Sequence, residues 1–160
     1  MKAIITGASS GLGADMARVL SKMGWDLIIT ARREDRLFAL KDELKTNVTV
    51  IPADLGTEEG CYGFIKKIEN EDFDLAINNA GFGLFGEFSS LETEKELNMI
   101  DLNIKSVHIL TKHFVEYFGC KGKGNILNVA SSAGLIPAGP YMSTYYATKS
   151  YVASITQAVA

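Results

Sequence analysis

The chain alternates between short runs of apolar residues and longer segments in which apolar residues recur every three or four positions. Short apolar runs indicate buried strands, and the wider spacing indicates amphipathic helices. The predicted strands are residues 3–5, 27–29, 48–51, 75–77 and 126–129. Because these runs are apolar almost throughout, we expect helices to cover both faces of the sheet.

The segments between the strands predict the helices. The first ends at Gly24, which favours a helix end, and a third begins at Thr57, a capping residue followed by two glutamates. One long helix is predicted from about residue 92 to 118, and a last one from about residue 144 onward. Alternating strands and helices imply an α/β domain with a doubly wound parallel sheet and right-handed crossovers. No repeat or linker divides it, so residues 1–160 are predicted to form a single domain.

A glycine-rich turn lies directly between the first strand and the first helix, reading Thr6-Gly7-Ala8-Ser9-Ser10-Gly11-Leu12-Gly13. Glycine permits a sharp turn and lets the backbone approach a pyrophosphate closely, and the helix N-terminus then attracts the anion. A P-loop is disfavoured because no Gly-Lys-Ser/Thr follows. The position of the turn therefore predicts a nucleotide-binding site.

Composition narrows the range of partners. A net charge of −3 gives no reason to expect nucleic acid or an anionic membrane surface. No apolar segment approaches the roughly 20 residues that span a bilayer. His108 and His113 lack the spacing of a helical metal pair, so no metal site is expected. Cys61 and Cys120 form no close pair, which is typical of reduced thiols, and a cytoplasmic location is predicted.

Two residues near the end of the chain have complementary acid–base chemistry. A free phenol has a pKa near about 10, and a neighbouring ammonium favours the phenolate. Tyr145 and Lys149 are four residues apart, which places them on one helical face. Tyr146 is three residues from the same lysine, so helical spacing alone leaves both tyrosines as candidates.

The glycine-rich turn is followed in order by Asn78-Asn79-Ala80-Gly81 after the fourth strand, Asn103 in the long helix, Ser132, and Tyr145-x-x-x-Lys149. These five motifs resemble those of the short-chain dehydrogenase/reductase family. The resemblance covers essentially the whole chain. It implies a Rossmann fold with five of the family's usual seven strands. It also implies that the family's C-terminal substrate-binding segment is absent from residues 1–160.

The resemblance also implies catalytic roles. Tyr145, rather than Tyr146, is the expected acid/base and Lys149 the residue that tunes it and contacts the nicotinamide ribose. Ser132 is expected to hold the substrate oxygen, which gains negative charge as hydride arrives. Ser131 is its neighbour. Asn103 is expected to hold a water in a proton relay.

The end of the second strand predicts which dinucleotide binds. An acidic residue there would bind the ribose of NAD, whereas an arginine accommodates the 2′-phosphate of NADP. This chain has Ala31-Arg32-Arg33, so NADP(H) is preferred to NAD(H), with Arg32 as the phosphate contact and Arg33 as a surface residue opening a helix. Asp54 matches the family's adenine contact. The predicted cofactor-binding residues are Gly7, Ser9, Ser10, Gly11, Leu12, Gly13, Arg32, Asp54, Leu55, Asn79, Ala80, Gly81, Tyr145 and Lys149.

The sequence thus predicts an NADP(H)-dependent oxidoreductase that interconverts a small-molecule carbonyl and an alcohol. The alternative is a non-catalytic nucleotide-binding module or redox sensor, which would need the glycine turn but not Tyr145 and Lys149. The resemblance further implies a homodimer or homotetramer formed through the helices that contain Asn103 and Tyr145. Apolar residues such as Phe114 and Phe118 beside Val107 and Leu110 favour such burial against a partner.

Overall fold

The sheet is parallel throughout and has five strands. A computed structural model describes all 160 residues. The strands are Lys2–Thr6 (β1), Asp26–Thr30 (β2), Val48–Val50 (β3), Leu75–Asn78 (β4) and Asn125–Asn128 (β5). They lie in the order β3-β2-β1-β4-β5, each parallel to its neighbours. The predicted α/β class and the existence of all five strands are confirmed.

Six α-helices connect and flank the strands. They are Gly11–Lys22 (α1), Glu34–Glu43 (α2), Glu58–Ile68 (α3), Thr93–Ile100 (α4), Val107–Lys121 (α5) and Ser143–Ala158 (α6). Thr57 caps α3 as predicted, since its hydroxyl accepts a hydrogen bond from the Gly60 N–H at 3.0 Å. None of these helices combines the length and the apolar composition needed to cross a membrane.

The predicted single helix over residues 92–118 is wrong in one respect. A π-helical turn, Asp101–Ser106, separates α4 from α5. Each residue in such a turn bonds five positions back, which widens the helix locally without ending it. Apolar periodicity cannot detect this change because the chain keeps its direction and its buried face.

Two buried clusters cover the two faces of the sheet, as the apolar strands predicted. Ile5 and Ile29 lie in the cluster packed against α1 and α2, whereas Ile4 and Ile28 lie in the cluster packed against α3 and α5. Consecutive residues of a strand point to opposite faces, so a strand covered on both sides is apolar at every position.

The prediction that Phe114 and Phe118 favour burial against a partner is wrong. Phe114 is fully buried and Phe118 is 8% exposed, both within the cluster under α3 and α5. Phe73 packs edge-on against both rings. The wide apolar face of α5 is therefore used inside the domain.

A buried polar network fixes α6 to the sheet. The Asn78 side chain donates to the Asn128 side-chain oxygen at 2.8 Å, and Asn128 in turn donates to the Thr156 hydroxyl on α6 at 3.0 Å. Thr111 on α5 also donates to Asn128, at 3.2 Å. Buried amides are costly unless bonded, so this network favours one register of α6 against β4 and β5.

Candidate active site

A cleft opens at the carboxyl ends of the strands, where the strand order reverses between β1 and β4. The loops that leave these two strands run to opposite sides of the sheet, and ligands of open α/β folds bind in this crevice. The cleft has a volume of about 520 Å³. Most of the predicted cofactor-binding residues line it: Gly7, Ser9, Ser10, Gly11, Leu12, Arg32, Asp54, Leu55, Asn79, Ala80 and Gly81.

Glycine is required at two positions of the turn after β1. Gly7 has φ +68°, and a Cβ there would lie 2.8 Å from the Ala80 Cα. Gly13 lies behind the turn, and a Cβ on it would lie 2.4 Å from the Gly7 carbonyl oxygen. Real Cβ atoms do not approach backbone so closely, so a side chain at either position would displace the cleft wall.

Hydrogen bonds join the glycine-rich turn to the loop after β4. The Thr6 hydroxyl accepts from the backbone N–H groups of Asn79 and Ala80, at 2.9 and 3.0 Å. The Asn79 side chain donates back to the Thr6 carbonyl at 3.0 Å. The two walls of the cleft are therefore held together by specific bonds 73 and 74 residues apart in sequence.

One end of the cleft carries two arginines and two serines. Arg33 donates to the Ser9 hydroxyl at 3.0 Å and to the Ser10 hydroxyl at 2.8 Å. Arg32 lines the same cleft. The Ser10 hydroxyl does not cap α1, so the first turn of that helix keeps backbone N–H groups for an anion. Arg33 is exposed and directly precedes α2, as predicted, but it also lines the cleft, which was not predicted.

Asp54 lies at the cleft and also shapes its own turn. Its carboxylate oxygen accepts a hydrogen bond from the Gly56 N–H at 3.0 Å. Leu55, the next residue, is 3% exposed and packs in the core under α3 and α5. The aspartate is thereby fixed at the cleft edge after β3.

Tyr145 and Lys149 lie one turn apart on α6, beside the cleft. The Lys149 Nζ is 5.9 Å from the Tyr145 ring centroid and donates to the Val129 carbonyl oxygen at 2.8 Å. Lys149 is 6% exposed, and this burial lowers the pKa of its ammonium. A charge withdrawn from water acts more strongly on a neighbouring phenol.

The two candidate tyrosines differ in their surroundings. A Cβ placed on Gly83, in the loop after β4, would lie 3.1 Å from the Tyr145 ring. The Tyr146 hydroxyl is instead near Gly139, 3.4 Å from a Cβ placed there. Tyr145 is therefore the tyrosine that packs against the loop after β4, the cleft loop.

Ser132 begins a short 3₁₀ turn, Ser132–Gly134, shortly after β5. The Ser131 hydroxyl caps this turn by accepting from the Ala133 N–H at 3.2 Å. The turn packs tightly on α6, since a Cβ on Gly134 would lie 2.4 Å from the Lys149 carbonyl oxygen. The structure thus gives the two serines different positions, with Ser132 exposed and Ser131 bonded to the turn.

Asn103 lies in the π-helical turn and is 1% exposed. Its Nδ2 donates to the Phe82 carbonyl at 2.8 Å and to the Thr148 hydroxyl at 3.1 Å, and its Oδ1 accepts from the Phe82 N–H at 3.1 Å. Both amide hydrogens are therefore used, and a single lone pair on Oδ1 remains for any water. Nothing in the sequence marked Phe82 or Thr148 as its partners.

The whole chain resembles proteins of one known family. The family model for short chain dehydrogenase matches residues 1–160. A 3-oxoacyl-acyl-carrier-protein reductase of Rickettsia prowazekii is 32% identical over 156 residues, covering 98% of this chain and 64% of its own length.

Two solved structures share the fold. A bulky-bulky ketone specific alcohol dehydrogenase from Comamonas testosteroni superposes with a TM-score of 0.90 and is 32% identical. It covers 99% of this chain and 65% of its own. A short-chain dehydrogenase from Sphingobium yanoikuyae in complex with NADPH also gives 0.90, at 34% identity over 99% of this chain and 64% of its own. The chain spans about two thirds of the length of the proteins it matches.

Proposed function

The chain belongs to the short-chain dehydrogenase family, and on this premise we propose that it is an NADP(H)-dependent oxidoreductase that interconverts a carbonyl compound and an alcohol. The observation that carries the proposal is the pairing of Tyr145 with the buried Lys149 beside the cleft. A module that only bound a nucleotide would need the cleft but would have no use for a buried lysine next to a phenol.

The residues of the cleft fit a phosphorylated dinucleotide. The close packing of Gly7 on Ala80 leaves room for a pyrophosphate at the first turn of α1, whose N-terminus attracts anions. Arg33 and Arg32, with the Ser9 and Ser10 hydroxyls, would hold a 2′-phosphate at the far end. When bound, the nicotinamide supplies or accepts the hydride.

The remaining chemistry is the work of the protein's own side chains. In the reducing direction, the Tyr145 hydroxyl donates its proton to the carbonyl oxygen of the substrate. Lys149, charged and shielded from water, stabilises the phenolate that remains. Ser132, on the exposed turn, donates a hydrogen bond to the same oxygen as negative charge develops there. In the oxidising direction the Tyr145 phenolate accepts the proton from the alcohol.

The test is carbonyl-dependent loss of NADPH absorbance by the full-length protein, measured with a panel of ketones and aldehydes. Turnover would support the proposal. Tight NADPH binding with no turnover of any compound would instead favour the non-catalytic module.

The surface outside Tyr145 favours uncharged apolar substrates. Phe85, in the loop after β4, and Leu135 and Ile136, directly after the Ser132–Gly134 turn, are more than half exposed, and Phe85 stacks on Tyr141 with ring centroids 5.6 Å apart. Residues 124–148 contain no charged side chain. Lys149 is 6% exposed and donates to the Val129 carbonyl oxygen, so a carboxylate on the exposed surface would lose water without reaching that ammonium.

We therefore expect acetophenone to be reduced with a kcat/KM at least about tenfold above that of benzoylformate, the same aryl ketone bearing a carboxylate. Phe85→Ala should raise KM for acetophenone, whereas Phe38→Ala, an exposed phenylalanine on α2, should leave it unchanged. Equal efficiency for both ketones would contradict the prediction.

We also propose that the protein forms a homodimer or homotetramer through the helices that contain Asn103 and Tyr145. On the outer side of these helices, His108 of α5 and Tyr151 of α6 are bonded at 2.6 Å in an exposed position. Val115 lies two turns after His108 on the same face of α5 and is 38% exposed.

Light scattering at micromolar concentration should therefore show at least a dimer. Val115→Glu should shift the protein towards monomer, because a charge in the interface would be buried without a partner. Val19→Glu, on an exposed valine of α1, is the matched control and should leave the assembly intact. A monomeric wild-type protein would rule out this interface.

A further inference from the structure

We infer that Thr148 is a positioning residue that locks the catalytic tyrosine to the wall of the cofactor cleft. The inference rests on the proposed oxidoreductase function. It concerns how Tyr145 is held rather than what Tyr145 does. The evidence is a chain of hydrogen bonds that runs from the loop after β4 through Asn103 and Thr148 to the backbone of Tyr145.

The Thr148 hydroxyl connects two elements. It donates to the Tyr145 carbonyl oxygen at 2.8 Å and accepts from the Asn103 Nδ2 at 3.1 Å. Thr148 has no exposed surface, so water cannot replace either bond. A hydroxyl has one hydrogen and two lone pairs, and only a residue able to donate and accept at once can make both contacts.

The amide of Asn103 continues the chain to the cleft. Its two bonds to the Phe82 backbone, at 2.8 and 3.1 Å, form a reciprocal pair. Phe82 follows Gly81, and both residues line the cleft. Gly81 also packs closely on this amide, because a Cβ there would lie 2.9 Å from the Asn103 Oδ1. Among the side-chain hydrogen bonds of Asn103, only the one with Thr148 therefore reaches α6.

The π-helical turn explains how Asn103 reaches both partners. The wider turn over Asp101–Ser106 brings the amide between the loop after β4 and α6. π-turns inside α-helices are frequent at functional sites. From this turn, the Asn103 side chain makes three hydrogen bonds to residues outside its own helix.

The position of Tyr145 matters because the rate of proton transfer falls steeply as the distance between donor and acceptor increases. A displacement of about 1 Å at a catalytic group can cost on the order of a hundredfold in rate. Without the Thr148 hydroxyl, α6 would keep its contacts with the sheet through Asn128 and Thr156. Its first turn, which carries Tyr145, would lose its bond to the cleft wall. A partial loss of rate, with cofactor binding preserved, is the expected consequence.

The experiment compares Thr148→Val with Thr148→Ser in the full-length protein. Valine keeps the shape of threonine without its hydroxyl, and serine keeps the hydroxyl without the methyl group. We expect Thr148→Val to lower kcat about tenfold while KM and the NADPH Kd change less than about twofold. Thr148→Ser should restore most of the rate. Unchanged kcat in Thr148→Val, with wild-type turnover present, would overturn the inference and leave the proposed function standing.

Two further measurements distinguish positioning from general destabilisation. In a Tyr145→Phe background, Thr148→Val should cause no additional loss of rate, whereas a destabilised fold would slow both backgrounds equally. Hydrogen exchange at the Tyr146 amide, which bonds the Met142 carbonyl oxygen at 3.0 Å, should increase for Thr148→Val but not for Thr148→Ser. If the wild-type protein turns over no carbonyl compound, the proposed function fails. The positioning role of Thr148 is then tested by hydrogen exchange alone, and unchanged exchange in Thr148→Val overturns it.

Discussion

Replacing Tyr145 by phenylalanine is expected to lower the rate of carbonyl reduction at least about a hundredfold while NADPH still binds. The substitution removes only the hydroxyl, and the ring that packs near Gly83 remains in place. The Tyr145 ring packs against the loop after β4, and the Lys149 Nζ is 5.9 Å from its centroid. The substrate oxygen would then have no positioned proton donor.

Tyr146→Phe is the matched control. Its hydroxyl lies near Gly139 rather than near the cleft loop, so we expect a change of less than about threefold. Steady-state rates with saturating NADPH, together with a separate titration of NADPH by fluorescence, distinguish lost chemistry from lost binding. If Tyr146→Phe were the damaging change and Tyr145→Phe the mild one, the catalytic assignment would be wrong.

Cofactor choice provides the second large effect. We expect NADPH to bind about tenfold to a hundredfold more tightly than NADH, since one charge-assisted hydrogen bond to phosphate is worth roughly 1.5–3 kcal/mol. Arg33 is already held at the cleft by Ser9 and Ser10, so little side-chain entropy is lost when a phosphate binds. Arg32 lines the same cleft and is expected to add to the positive electrostatic potential that attracts the phosphate.

Titration of Arg33→Ala and Arg32→Asp with both cofactors tests this. Each variant should lose affinity for NADPH, and Arg33→Ala should keep its affinity for NADH within about twofold, which serves as the internal control. Equal binding of NADPH and NADH by the wild-type protein would show that neither arginine selects the phosphate. A loss of NADPH affinity confined to Arg32→Asp would show that Arg33 serves only to order the turn that contains Ser9 and Ser10.

The fold could be predicted from the sequence because its main determinant is local. Both faces of the sheet are covered by helices, so the strands are apolar without interruption and stand out against the helical periodicity. The glycines of the first turn could be predicted for the same kind of reason. Only glycine fits where the backbone has φ +68° at Gly7 or approaches to 2.4 Å at Gly13.

Other features depended on partners distant in sequence. Phe114 and Phe118 lie on a helix whose apolar residues are compatible with a partner surface or with the core, and only the position of Phe73 and α3 shows that they are core. Which of Arg32 and Arg33 bonds to Ser9 and Ser10 depended on contacts between residues 23 and 24 positions apart in sequence. Neighbouring residues of one type carry no local signal that separates them.

By itself, the sequence determined the alternation of strands and helices, the glycine-rich turn and the spacing of Tyr145 and Lys149, because each of these follows from backbone geometry over a few residues. Only the tertiary structure decided which tyrosine packs against the cleft loop and how deeply Lys149 is buried. It also decided that a π-helical turn brings Asn103 to Phe82 and Thr148. These features follow from the packing of α6 against two other segments, and hydrogen bonds between distant segments leave no periodic trace in the chain.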